Sequence, residues 1–144
     1  EDHQSWLQKL GAQTVTDISK RTWDTRTLES GTWAAAIDNV GGDILSYILP
    51  RIKMGGSACA IGLAMSPKLN TSVFPFILRG VNLLGASSTN CPRPLREKVW
   101  QSLNDCSCDW SQALTEDIKP EDITNHAKKM MTGTTTGRTL IQQK

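Results

Sequence analysis

The chain has 144 residues, 38% of them hydrophobic and 21% charged, with a net charge of +2. This is the composition of an ordinary folded domain, and the length suggests a single one spanning residues 1–144. So small a charge, carried by scattered Lys and Arg, argues against a nucleic-acid surface, and no apolar run approaches the ~20 residues that cross a bilayer.

The N-terminal stretch lacks the basic and apolar regions of a signal peptide, so a cytoplasmic location is expected. There are four cysteines. Cys59 lies in an apolar run, Cys91 precedes Pro92, and Cys106 and Cys108 are one residue apart. With only His126 downstream, this does not match the C-x-x-C pairs of metal sites. Reduced thiols and no metal are the expectation.

In chain order, residues 2–10 read as a short helix with Trp6, Leu7 and Leu10 on one face and Gly11 as its stop. The β-branched residues of 14–18 favour a strand. Residues 19–30 are polar apart from Trp23 and Leu28 and read as a turn with a short helix. Three apolar runs follow at 33–37, 57–61 and 81–84, each breaking at or near glycine. They are too short for helices and do not alternate, which suits strands buried on both faces of a parallel sheet.

Between the first two, residues 43–53 carry an apolar stripe of Ile44, Leu45, Ile48, Leu49 and Ile52 at helical spacing. Pro50 should kink this helix and Gly55-Gly56 end it. Strand, helix and strand here make a βαβ unit. Residues 65–80 form a longer connection whose apolar centre, 73–78, must pack on the sheet, a partner chain or a ligand.

A helix starts at Pro92 with Leu95, Val99, Trp100 and Leu103 on one face. Another opens at Pro120, with Glu121 and Asp122 first, Lys128 and Lys129 last, and Gly133 closing it. Its expected buried stripe is Ile123, Ala127 and Met130. Residues 137–141 end the chain as a short strand.

Ligands bind such sheets at the carboxyl ends of the strands, here residues 38–42, 62–64 and 85–88. Asp38 suits either contact with a ribose or closure of its own turn. Neither G-x-G-x-x-G nor G-x-x-x-x-G-K-[ST] occurs, so no phosphate cradle is assigned. No catalytic constellation is evident: His3 lies near the terminus, and His126 is expected to be solvated on the polar side of its helix.

Leu10-Gly11-Ala12, Ala36-Ile37-Asp38-Asn39-Val40-Gly41-Gly42, Gly62-Leu63-Ala64, Phe74-Pro75-Phe76-Ile77-Leu78-Arg79-Gly80-Val81, Leu84-Gly85 and Gly137-Arg138-Thr139 occur in this order. Together they resemble the C-terminal half of zinc-independent medium-chain dehydrogenases/reductases, most like the branch of NADPH-dependent quinone oxidoreductases and acrylyl-CoA reductases. The resemblance implies an α/β fold: a partial Rossmann-like sheet of mainly parallel strands flanked by helices, truncated at the N-terminal side. It also implies NADP as cofactor, with Asn39, Val40, Gly41, Leu63, Ile77 and Ser88 around the nicotinamide half. The catalytic domain and the glycine-rich phosphate turn would lie outside the chain.

Rossmann strand order is 3-2-1-4-5-6. Residues 14–18 would be strand 3 and 33–37 strand 4, so strand 3 would lose its neighbours and strand 4 would show an open edge. The expected product is part of a quinone or acrylyl-CoA reductase, inactive alone, or a free-standing oligomeric module without oxidoreductase activity. Dimer contacts are expected through Val81 to Gly85, as the family implies, or through the exposed strand from Trp33 to Ile37.

Overall fold

The computed structural model describes residues 3–18, 22, 26–87, 89–107 and 110–142. The chain divides into two compact units, Ile18–Trp100 and Glu1–Asp17 with Gln101–Lys144.

In the first unit, β1 (Trp33–Asp38), β2 (Ile52–Ala60) and β3 (Asn82–Gly85) form a parallel sheet in the order β1-β2-β3. α2 (Gly42–Ile48) and a 3-10 turn (Leu49–Arg51) join β1 to β2, and α3 (Phe74–Arg79) lies between β2 and β3. This is the α/β class with a parallel sheet flanked by helices.

The helix expected over 43–53 therefore ends early. Pro50 has no N–H to continue the α-helical ladder, the chain tightens into a 3-10 turn, and Ile52 already belongs to β2. Gly55-Gly56, expected to stop the helix, lies inside β2, where the register with β1 shifts between Trp33 and Ala35. The apolar centre of the 65–80 connection is a helix, with Pro75 in its first turn and Gly80 as its left-handed cap.

Register explains where the core sits. Ala36, Ala58 and Leu83 form one row across the sheet, and Ile37, Cys59 and Leu84 form the next. Side chains of adjacent rows point to opposite faces. Ala58 is fully buried against Leu45, Leu49, Ile52 and Val81, with Ala36, Ile48, Ala60 and Phe76 packed around them. On the other face Ile37 is 73% exposed and Leu84 52%. The expectation of strands buried on both faces is thus corrected: α2 and α3 contribute their apolar residues to one face only. The open edge expected on the first strand is present, since β1 pairs only with β2 among the described residues.

The second unit contains α1 (Gln4–Lys9), a 3-10 turn (Trp110–Ala113), β4 (Leu114–Ile118), a 3-10 turn (Pro120–Asp122), α5 (Ile123–Met131) and β5 (Arg138–Ile141). β4 and β5 pair in parallel, and the Trp6 indole N–H reaches the Gln112 carbonyl at 3.0 Å. α4 (Arg93–Asn104) has no buried residue; its face of Leu95, Val99, Trp100 and Leu103 is exposed.

Residues 14–18 do not form the expected strand. β-branched residues supply propensity, but a strand exists only beside another strand, and among the described residues no strand pairs with this stretch. The short helix expected within 19–30 falls partly on 19–21 and 23–25, outside the described residues. No helix of the described residues is long and apolar enough to cross a membrane.

Candidate functional site

The carboxyl ends of β1 and β2 are joined by a dense set of backbone bonds. The Asp38 carbonyl accepts the N–H of Ile61 at 2.8 Å and of Gly62 at 3.3 Å. The Asn39 carbonyl accepts from Ala64 at 3.4 Å, the Val40 carbonyl from Met65 at 2.8 Å, and Gly41 forms a parallel bridge with Ser66. The turn after β1 is thereby stapled along its length to the turn after β2.

Two glycines make this approach possible. Gly41 has φ +69°, and a Cβ there would run into the Ser66 carbonyl oxygen. A Cβ on Gly62 would stand 2.5 Å from the Asn39 carbonyl oxygen. Only a residue without a side chain lets the two backbones come this close.

Asp38 is 2% exposed. Its carboxylate accepts the N–H of Gly41 at 2.9 Å and of Val40 at 3.3 Å. Of its two sequence readings, turn closure is the one the geometry realises: both oxygens are occupied by the chain itself.

These contacts bring Asn39, Val40, Gly41 and Leu63 together. Asn39 is exposed, Val40 half-buried, Gly41 buried, and Leu63 63% exposed. Ile77 is 68% exposed on α3. α3 is fixed by Arg79, whose guanidinium donates to the Pro50 carbonyl at 2.9 Å, to the Ile52 carbonyl at 3.2 Å and to the Glu29 carbonyl. Ser88 lies outside the described residues. The assembled surface offers apolar side chains and backbone groups but no Lys or Arg in 38–43 or 61–66.

Among the described residues, the buried polar group of the second unit is one expected from the sequence to be solvated. His126 is 7% exposed and is the buried residue of α5, whereas Ile123 and Met130 of its expected buried stripe are 42% and 60% exposed. The ring Nε2 lies 2.9 Å from Thr139 Oγ1, and Nδ1 lies 3.2 Å from Glu116 Oε2. The helix is rotated from its expected setting because β4, not foreseen in the sequence, places Glu116 opposite the ring. A cavity of about 300 Å³ beside it is lined by Ile118, Ile123, Ala127, Met130 and Ile141 together with His126 and Thr139. Among the described residues no cluster of His, Cys, Asp and Glu could hold a metal ion.

The probable acrylyl-CoA reductase AcuI of Escherichia coli K12 is 34% identical over 143 residues, which is 99% of this chain and 44% of that protein. The putative quinone oxidoreductase YhfP of Bacillus subtilis 168 is 35% identical over 121 residues, 82% of this chain and 33% of that protein. The chain is homologous to medium-chain dehydrogenases/reductases of the acrylyl-CoA reductase and quinone oxidoreductase branch.

The crystal structure of the YhdH oxidoreductase of Salmonella enterica with NADP superposes with a TM-score of 0.92 at 35% identity, covering 100% of this chain and 44% of that one. That of B. subtilis YhfP with NAD bound gives 0.92 at 29% identity, covering 99% and 44%. The chain therefore spans less than half the length of the relatives it matches. No family model matches it. The resemblance to this branch holds across both units, and NADP is the cofactor it implies.

The stapled turns suit the nicotinamide end of such a cofactor. They place glycine backbone and the exposed Asn39 and Leu63 at the strand ends, where a flat ring with a carboxamide would find apolar and hydrogen-bonding groups. They do not suit its phosphates, for which these turns supply neither a cation nor a glycine loop.

Proposed function

We propose that this chain forms the nicotinamide side of the cofactor site of an NADPH-dependent oxidoreductase of the quinone or enoyl/acrylyl-CoA type. The observation that carries this reading is the pair of glycine-dependent turns after β1 and β2, stapled together with Asn39 and Leu63 exposed beside them. Similarity along 99% of the chain to a probable acrylyl-CoA reductase supports it. Bound NADPH would supply a hydride for an electron-poor double bond or a quinone. Asn39, Val40, Gly41, Leu63, Ile77 and Ser88 would orient the ring and exclude water.

On this reading the 144 residues are inactive alone, because the phosphates need an anion site these turns lack. The test uses NADPH titration followed by tryptophan fluorescence, for the chain alone and mixed with the N-terminal half of a relative. Weak or no binding alone, and NADPH oxidation by an enone or quinone once the missing half is supplied, are the expected results. A folded mixture that binds NADPH and leaves every such acceptor unreduced would overturn it.

The uncovered face bearing Ile37 and Leu84 favours a second reading, a self-associating module without oxidoreductase activity. It would assemble through β1, or through the strand from Val81 to Gly85.

A further inference from the structure

We propose that Thr139, His126 and Glu116 form a nucleophile, a base and an orienting carboxylate, which together hydrolyse activated esters of short apolar acids. The strand register builds the constellation within one compact unit. Glu116 of β4 and Thr139 of β5 are Cα partners, so their side chains point to one face of the two-stranded sheet, where His126 of α5 meets both. Thr139 Oγ1 lies 2.9 Å from the ring Nε2, and Glu116 Oε2 lies 3.2 Å from Nδ1. With the ring neutral and its proton on Nδ1, the imidazole turns a donor to the carboxylate and a lone pair to the hydroxyl, which donates to Nε2. This is the arrangement in which a base takes the proton of an attacking hydroxyl while a carboxylate fixes its tautomer. Nδ1 makes no hydrogen bond in the free chain. Glu116 is 41% exposed and has only to swing Oε2 into line, as catalytic contacts commonly do when substrate binds.

The acyl group has a place beside the hydroxyl. Thr139 and His126 both line the cavity of about 300 Å³, whose other walls are largely apolar and carry no Asp, Glu or Lys among the described residues. Ile118 and Ile141, register partners on β4 and β5, stand on one side. Ile123, Ala127 and Met130, spaced along one face of α5, stand on the other. The apolar stripe of this helix therefore lines a cavity instead of packing into a core, which is why Ile123 and Met130 remain 42% and 60% exposed. Such walls favour a short hydrocarbon chain over a charged one.

The chemistry needs only ester and water. Thr139 Oγ1 attacks the ester carbonyl carbon while its proton passes to His126 Nε2. The bond from that carbon to the leaving oxygen breaks, Nε2 returns the proton to the departing alcohol or phenol, and the acyl group stays on Thr139. Water then gives a proton to the same nitrogen and attacks the acyl carbon, releasing the carboxylic acid and restoring the hydroxyl. Thr139 and His126 are the catalytic residues. Glu116 is a positioning residue: Lys129 stands 4.0 Å from its Oε1, which leaves Oε2 to the ring. No cofactor takes part, so this activity is independent of the nicotinamide reading.

The experiment incubates the full 144-residue chain with p-nitrophenyl butyrate near neutral pH, follows release of p-nitrophenolate, and locates the butyryl group by peptide mass spectrometry. The butyryl group should appear on Thr139. Thr139→Val should slow release about tenfold or more, and adding His126→Gln to it should cost little further, since the two act as a unit. Glu116→Gln should lower kcat about tenfold or more with KM little changed, a split that loosened packing around the cavity would not give. Thr139→Ser keeps the hydroxyl and should keep the activity, which holds the test open if the valine variant folds poorly. Butyryl groups found only on cysteine, lysine or the N-terminal amine, or equal release by Thr139→Val and the parent, would overturn the proposal.

Discussion

The carboxylate of Asp38 accepts the backbone N–H of Gly41 at 2.9 Å, and that bond closes the turn on which the candidate site is built. The main chain of Asp38 simultaneously receives Ile61 and Gly62 from the next strand end. One buried residue thus shapes the first turn with its side chain and fastens the second with its carbonyl. The acid at the strand end is structural, and recognition falls to the backbone and to the side chains that flank it.

Replacing Asp38 with alanine should cost stability even with no ligand present. Two backbone donors lose their acceptor, one of them fully buried, for about 2–3 kcal/mol. Urea unfolding of the free chain should show a lower midpoint with an unchanged slope. A ribose-binding aspartate would instead leave ligand-free stability almost untouched.

The core of the first unit makes a second prediction. Leu49 and Ile52 are both fully buried, one on the 3-10 turn and one at the start of β2. Leu49→Ala should destabilise by about 2–5 kcal/mol, depending on how far Phe76 and Ile48 collapse into the space. The measurement is thermal unfolding beside Leu63→Ala. That control removes a 63% exposed side chain and should fall within about 0.5 kcal/mol of the parent.

The strands of the parallel sheet and the turns at their ends were legible because their signals are local: short apolar runs, and glycines at the close approaches. Helix boundaries were less so. The stripe through Ile52 continues at helical spacing, yet Pro50 and the pull of the sheet convert that residue to β2. β4 was invisible since Leu114, Thr115, Glu116, Asp117 and Ile118 hold no apolar run, and only pairing with β5 makes them a strand. With β4 missed, the setting of α5 was misjudged too, and His126 was assigned to water. Residues 14–18 show the reverse, propensity with no neighbouring strand among the described residues.

Arg79 carries the third prediction. Its guanidinium spans three carbonyls from two segments, those of Glu29, Pro50 and Ile52. Nearby, Arg51 pairs with the Glu29 carboxylate at 3.4 Å and stacks on the Tyr47 ring. A lysine is charged but cannot fork across three acceptors. Arg79→Lys should lower stability by about 1–3 kcal/mol and loosen residues 26–32, seen as faster amide exchange there. Equal protection in the variant and the parent would show that the fork is incidental.

The open face and edges of the sheet give the last prediction. Ile37 lies on β1 and Leu84 on β3, in one row of the register with Cys59 between them. Being 73% and 52% exposed, each should accept lysine with little change in the stability of a monomer. If copies of the chain assemble through β1, Ile37→Lys weakens association by placing a charge on the pairing strand, while Leu84→Lys does not. Assembly through Val81 to Gly85 reverses the two results. Sedimentation equilibrium over a range of concentrations separates these cases, since only an interfacial lysine shifts the monomer fraction. A parent chain that stays monomeric throughout removes self-association as a role for this face.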